Sequence, residues 1–351
     1  MTNRAILLTD GLLSTPNAKT AHGLIRGTER YTIVGAVDRP TAGQDAGAML
    51  DGNFRNIPVF ASVDDALAQV EAVSYAIVAI ATNGGVLPES MLTDIKNCLE
   101  HGLSIVNGLH EFLNDKPDIV ALAQQHGAQL IDVRRPKPRN ELHFWTGEVR
   151  QITAPIIAVM GTDCALGKRT TARLIREACG QHNLNAQMIY TGQTGWLQGG
   201  QYGFVFDSTL NDFVSGELEH ALVSCWRETG ADVLLIEGQA ALRNPSGPCG
   251  SEFLVSGNAR YVVLVHAPKR TYYDHDAAWG KIPPVESEIA LIRAYGSDVI
   301  ALALNTEDCT DEDASTYQKE FSERLGIPVL LPLQTGVDAV IPVIKSLIIN
   351  K

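Results

Sequence analysis

The run Ile156-Ile157-Ala158-Val159-Met160-Gly161-Thr162-Asp163-Cys164-Ala165-Leu166-Gly167-Lys168-Arg169-Thr170-Thr171 carries the clearest chemistry in the chain. An apolar strand ends at Gly161, a polar loop follows, and Gly167-Lys168 opens a helix. In that layout successive backbone N–H groups wrap a phosphate, the helix N-terminus adds positive potential, and the lysine neutralises oxygens. Gly161, Thr162, Cys164, Ala165, Leu166, Gly167, Lys168, Arg169 and Thr170 are therefore the expected phosphate grip. The pattern departs from the usual P-loop twice. The first glycine's place falls on Thr162, with Gly161 one position earlier, and Arg169 stands where a Ser or Thr normally offers a hydroxyl to Mg²⁺. Thr170 and Thr171 follow one and two places late, and a helix turns about 100° per residue, so neither simply replaces that hydroxyl. An added arginine suits a ligand with more phosphate than metal; no metal is expected.

Four further segments contain residues that could act beside this loop. Val233-Leu234-Leu235-Ile236-Glu237-Gly238-Gln239 is an apolar strand ending in an acid, the Walker-B position, where Glu237 could hold a metal through water or serve as a base. Thr191-Gly192-Gln193-Thr194-Gly195-Trp196 follows another strand, and its glycines suit close backbone approach to a ligand. Asp212, Ser215 and Glu219 share one helix face by spacing. His266 ends a strand as a possible general base, with Lys269 and Arg270 able to bind carboxylate or phosphate. An exposed strand-end acid, an ordinary turn, a solvated helix face and a half-buried histidine are the plain structural readings of the same four segments.

These residues need parallel sheets to bring them together. Near-continuous apolar runs at 5–9, 32–37, 57–60, 75–81, 104–106 and 129–133 alternate with helix-like stretches at 19–25, 63–70, 88–101 and 118–126. That alternation predicts a parallel sheet covered on both faces, a Rossmann-like domain. The segment 134–150 breaks the rhythm with Pro136, Pro138 and several charges. The alternation restarts with strands at 155–160, 186–190, 232–237, 261–266, 299–305 and 327–331, between helices at 167–180, 210–229, 285–295, 311–325 and 337–349. The expected fold is α/β in two domains: a Rossmann-like N-terminal parallel sheet over 1–140, then a P-loop NTPase-like parallel sheet over 151–351. The first domain lacks a GxGxxG turn, so Asp38, at the end of its second strand, does not by itself make a nicotinamide site.

Composition narrows the partners. A net charge of −12 and the absence of a basic cluster larger than Arg134, Arg135, Lys137 and Arg139 argue against nucleic acid and anionic membranes. The six cysteines form no CxxC or zinc-ligand spacing and read as reduced thiols. The apolar run at 5–8 is too short for a signal segment and no stretch suits a membrane span, so a cytoplasmic protein acting on small molecules, commonly as a homo-oligomer, is expected.

Taken together the segments resemble one family, the D-glutamate N-acetyltransferase (DgcN) family, with a Rossmann-like domain before a P-loop domain. The resemblance rests on Thr162-Asp163-Cys164 with Gly167-Lys168, Thr191 through Gly195, Asp212-Phe213 with Gly216 and Glu219, and Glu237-Gly238-Gln239. After that last motif the chain departs from the family pattern, reading Ala240-Ala241-Leu242-Arg243-Asn244-Pro245. The resemblance implies acetyl transfer from acetyl-CoA to the amino group of D-glutamate or a close acidic amino acid, within D-amino-acid catabolism. CoA phosphate would sit on the loop, with Gln193 in the cofactor set. His266 or Glu237, with Asp163 behind them, would be the base. Arg243, Arg270 or Arg134, with Gln239 and Asn244, would hold the substrate. Two other readings stay open: an ATP-dependent ligase or kinase of the dethiobiotin synthetase type, whose loop keeps a threonine after its lysine, and a non-catalytic nucleotide sensor.

Overall fold

The structure is a computed structural model and describes residues 3–349. The first sheet comprises β1 (Arg4–Leu8), β2 (Thr32–Val37), β3 (Val59–Phe60), β4 (Tyr75–Val78), β5 (Ser104–Asn107) and β6 (Leu130–Asp132). All its pairings are parallel, in the order β3-β2-β1-β4-β5-β6. Helices α1 (Lys19–Arg26), α2 (Ala46–Asp51), α3 (Val63–Gln69), α4 (Glu89–Glu100) and α5 (Pro117–Gln125) connect them. Side chains alternate between faces along each strand, so Ile6 and Leu8 join one buried cluster and Ala5 and Leu7 the other. Both faces are buried, which is why these strands read as continuous apolar runs rather than as an alternating pattern.

The second sheet repeats the plan. Its strands are β7 (Ile156–Gly161), β8 (Ala186–Ile189), β9 (Val233–Glu237), β10 (Tyr261–His266), β11 (Asp298–Leu304) and β12 (Val329–Leu330), all parallel, ordered β12-β11-β10-β7-β9-β8. Helices α6 (Lys168–Gln181), α7 (Gln193–Leu197), α8 (Asn211–Thr229), α9 (Ser251–Val255), α10 (Val285–Ala294), α11 (Asp311–Leu325) and α12 (Ile341–Ile349) complete the chain. Ile156, Ala158 and Met160 face one core and Ile157 and Val159 the other. Because β7 lies between β9 and β10, the loop after β7 and the ends of those two strands share one edge of the sheet, where parallel α/β sheets bind ligands.

The two compact units are not consecutive in sequence. One runs to Pro136 and also contains Gln193–Gly199; the other holds Lys137–Gly192 and resumes at Gly200. Within the first unit, Leu197 is buried in the cluster of Ala5, Leu7 and Leu24, and Gln198 Nε2 donates to the carbonyls of Gly23 (2.8 Å) and Gly27 (3.0 Å). Helix α7 is thus a piece of the Rossmann-like unit supplied from within the later sequence. The whole segment Thr191–Trp196 is expected from sequence as a turn after a strand; from Gln193 onward it is instead a largely buried helix.

Within the second unit, residues 137–150 are pinned to α8. Glu217 accepts from Lys137 Nζ (2.6 Å) and from the backbone N–H of His143 (2.9 Å). Glu219 accepts from the Thr146 N–H and hydroxyl and from the Val149 N–H. A Cβ on Gly216 would lie 2.0 Å from the His143 carbonyl oxygen, so only glycine admits this segment. The helix face expected from Asp212, Ser215 and Glu219 divides: Asp212 is exposed, Glu219 is buried and anchors the segment, and Ser215 Oγ hydrogen-bonds Ser256 Oγ at 2.8 Å.

Candidate active site

The loop between β7 and α6 has the backbone its sequence called for. Gly167 adopts φ +92°, a left-handed conformation that glycine enters without strain, and Lys168 begins α6. Ala165 also sits at positive φ, +52°, as does Ala240 at +28° after β9; non-glycine residues held this way commonly mark ligand sites. Leu166 anchors the loop in the core below α6, and Lys168 Nζ curls back to donate to the Asp163 carbonyl at 2.6 Å.

Asp163 is fully buried and fully engaged. Its Oδ1 accepts from Asn244 Nδ2 (2.8 Å); its Oδ2 accepts from Arg270 Nη1 (2.8 Å) and from the Asp274 N–H (2.8 Å). Arg270 spends its remaining directed donors on Glu307, through Nε and Nη2 at 2.6 Å each, and on the Cys164 carbonyl at 2.8 Å. Asn244 bridges Asp163 and Ser246, and its Nδ2 points at Cys164 Sγ at 3.4 Å. These contacts bear on three expectations: the polar atoms of Asp163, read as a base, and of Arg270 and Asn244, read as substrate ligands, are engaged with one another and with Ser246, Glu307, Cys164 and the Asp274 N–H. The three form a brace that fixes the loop.

His266 is also part of the loop's support. Its Nδ1 pairs with Thr162 Oγ1 at 2.9 Å, and its ring meets Phe321 edge to face. Burial pulls the imidazole down to about 4, with Arg270 and Arg324 pushing the same way. Low proton affinity and the Thr162 contact both count against His266 as a base near neutrality. Lys269 is held away by Asp313, at 2.6 Å.

Glu237 differs from these. It is 3% exposed, and one carboxylate oxygen accepts the Thr191 N–H at 3.2 Å. The other lies 3.9 Å from Arg169 Nη1. Burial raises its proton affinity, opposed by Arg169, the Thr191 N–H and Lys168. Thr191 is the hub here: its hydroxyl donates to the Glu237 carbonyl (2.6 Å) and accepts from Gln239 Nε2 (3.1 Å). A buried carboxyl with raised affinity, next to two cations of a phosphate loop, can exchange a proton with a reacting group.

The remaining expected residues are distributed. Arg243 donates to Glu288 Oε2 (2.7 Å) and Ser287 Oγ (2.9 Å). Arg134 and Gln193 belong to the first unit, where Arg134 donates to the Gly108 carbonyl and Gln193 opens α7. Asp38 stands at the ribose-binding place of a dinucleotide fold, but its oxygens accept from Thr9 Oγ1, the Leu13 N–H and Thr41 Oγ1, and it is buried. The sequence had no local signal for the Arg270–Glu307 contact or for Glu217 as a linker anchor, because each needs a partner many residues away; Gly216 stood out only as part of a motif, with no sign that it admits the His143 backbone.

A phosphate loop after the central strand of a parallel sheet, preceded by a Rossmann-like unit, defines a two-domain P-loop α/β protein. The chain belongs to the DUF1611 family. Residues 143–341 match its C-terminal P-loop domain of unknown function, and residues 39–136 match its N-terminal Rossmann-like domain. Two similar curated proteins both bear the name D-glutamate N-acetyltransferase. One, from Pseudoalteromonas sp, is 31% identical over 271 residues, covering 76% of this chain and 79% of the relative. The other, from Tritonibacter scottomollicae, is 29% identical over 281 residues, covering 77% and 80%. The crystal structure of a DUF1611 family protein from Anabaena variabilis ATCC 29413 superposes with a TM-score of 0.90 at 27% identity, over 98% of this chain and all of that one. Among the described residues no helix is long and apolar enough to cross a membrane.

Proposed function

We propose that this protein is an amino-acid N-acetyltransferase that moves the acetyl group of acetyl-CoA to the amino group of D-glutamate. The names of its relatives support D-glutamate and acetyl transfer; acetyl-CoA as the donor rests on the phosphate loop and its added arginine. The observation that carries the chemistry is Glu237, a buried carboxyl with raised proton affinity in contact with Arg169.

The amine of glutamate arrives as an ammonium ion and must lose a proton before its lone pair can attack. Glu237 takes that proton, the nitrogen adds to the thioester carbonyl, and a loop N–H stabilises the resulting oxyanion. Collapse expels the CoA sulfur as thiolate, Glu237 gives the thiolate the proton it took first and accepts the second nitrogen proton, which it then releases to solvent, so that N-acetylglutamate, free CoA and one proton result. Lys168 and Arg169 hold the donor's phosphates. The pyrophosphate and the thioester lie at opposite ends of the pantetheine arm, so that arm folds back over the loop for Glu237 to serve the thioester.

The test is release of CoA thiol from acetyl-CoA with a panel of D- and L-amino acids, for wild type, Lys168→Ala and Glu237→Gln. D-glutamate-dependent release in wild type, weakened acetyl-CoA binding in Lys168→Ala and collapsed kcat in Glu237→Gln are expected. No release with any amino acid would overturn the reading, and Mg²⁺-dependent ATP turnover in its place would move the protein to the ligase class.

A further inference from the structure

P-loop folds that act on nucleoside triphosphates hold Mg²⁺ with the hydroxyl that follows the loop lysine and with an acid on a neighbouring strand end. The residues of this chain do not fit that ion. The position after Lys168 is Arg169, whose side chain is 21% exposed and whose Nη1 faces Glu237 Oε1 at 3.9 Å. A guanidinium has donors and no acceptor, so it cannot ligate a cation, and its charge lies beside the acid that would have met the ion. Thr170 follows one residue on, about 100° further round α6. Asp163, the loop's own carboxylate, has both oxygens occupied by Asn244, Arg270 and the Asp274 N–H. Among the described residues no group of three or more His, Cys, Asp or Glu side chains is arranged to hold a metal ion.

We propose that Arg169 takes the place of the divalent cation, so that this loop binds a phosphoanhydride free of metal and selects against the Mg²⁺ complexes of nucleoside triphosphates. Lys168 and Arg169 supply two fixed positive charges to the anion, and Glu237 holds the guanidinium near the loop. The inference deepens the acetyl-CoA reading and rests on it for the natural ligand, since CoA carries a pyrophosphate that needs no metal for its chemistry.

The experiment is calorimetric titration of the full chain with CoA, ADP and inorganic pyrophosphate, each in EDTA and again in excess Mg²⁺. All three should bind in EDTA. Mg²⁺ should leave CoA affinity unchanged and weaken ADP and pyrophosphate, because it sequesters the free anions. Arg169→Thr should lose roughly 10- to 100-fold in EDTA, the size of a charge-assisted contact, and recover part of it with Mg²⁺. Arg169→Lys should keep metal-free binding. Wild-type binding that requires Mg²⁺, or an Arg169→Thr protein with undiminished affinity in EDTA, would overturn the proposal. The wild-type titrations decide alone if the threonine variant does not fold. Metal-free binding of ADP without acetyl transfer would sink the acetyltransferase reading and leave this inference standing; acetyl transfer by an enzyme that binds CoA only with Mg²⁺ would do the reverse.

Discussion

Arg270 Nη1 lies 2.8 Å from Asp163 Oδ2, and both side chains are buried. The loop that follows β10 thereby fixes the first turn of the phosphate loop from beneath. The geometry of an anion site is useful only if its N–H groups are already aimed when the ligand arrives, and this pair holds them. Removing one partner strands the other charge. We expect Arg270→Met to lower unfolding free energy by about 3–5 kcal/mol in urea titrations. A loss below about 1 kcal/mol would mean the pair is not what holds the loop.

Glu237 gives a pH signature with two parts. Its folded-state proton affinity exceeds the ordinary carboxylate value of 4.5. The native chain therefore binds more protons than the unfolded chain above that pH, and this group's contribution to stability falls as pH rises through the window. As a base it acts only when ionised, so kcat rises with pH over the same window. Glu237→Gln should remove both slopes and lower kcat by about 10²- to 10⁴-fold. Paired pH profiles of rate and of unfolding check this, and an unchanged rate limb in the variant would exclude Glu237 as the base.

His266 behaves in the opposite sense. Its folded value is about 4 against an ordinary 6.5. Between those values the unfolded chain binds the extra proton, so acidification destabilises the native state, by an amount of order 3 kcal/mol across the window. His266→Gln should flatten that part of the stability profile. On the proposed mechanism its acetyl-transfer rate near neutrality should fall far less than that of Glu237→Gln, since the ring's Nδ1 is engaged with Thr162.

Gly216 tests the anchoring of the segment before the second sheet. Alanine there would place a methyl group 2.0 Å from the His143 carbonyl oxygen. We expect Gly216→Ala to cost about 1–3 kcal/mol and to open residues 137–150 to limited proteolysis. Cleavage at wild-type rates would show that the segment finds another path.

Much of this was legible where the signal is local. The strand, glycine and Gly-Lys order from Ile156 to Lys168 needs no distant partner, and β7 and α6 fall where it placed them. The buried strands were legible for the same reason, since two-sided burial demands unbroken apolar runs. The functional sorting of the polar residues was not. Asp163, Arg270, Asn244 and His266 have the types of catalytic groups, and nothing local in the sequence signals the pairings Asp163–Arg270, Asp163–Asn244 and Thr162–His266 that engage them around the loop. Helix α7 was missed because Gln193-Thr194-Gly195-Trp196-Leu197 has no helical period; its place is set by packing against residues far earlier in the chain.

The assignment of Gln193–Gly199 to the first unit bears on how such a protein can be inherited. Genes that encode independent modules can be cut at a linker and rejoined to new neighbours. A crossover near residue 136 would here give one descendant a Rossmann-like sheet without the helix that covers part of it, and the other a P-loop sheet bearing a helix cut for a different host. A change to the face that receives Leu197 therefore calls for a matching change in a stretch encoded well after it.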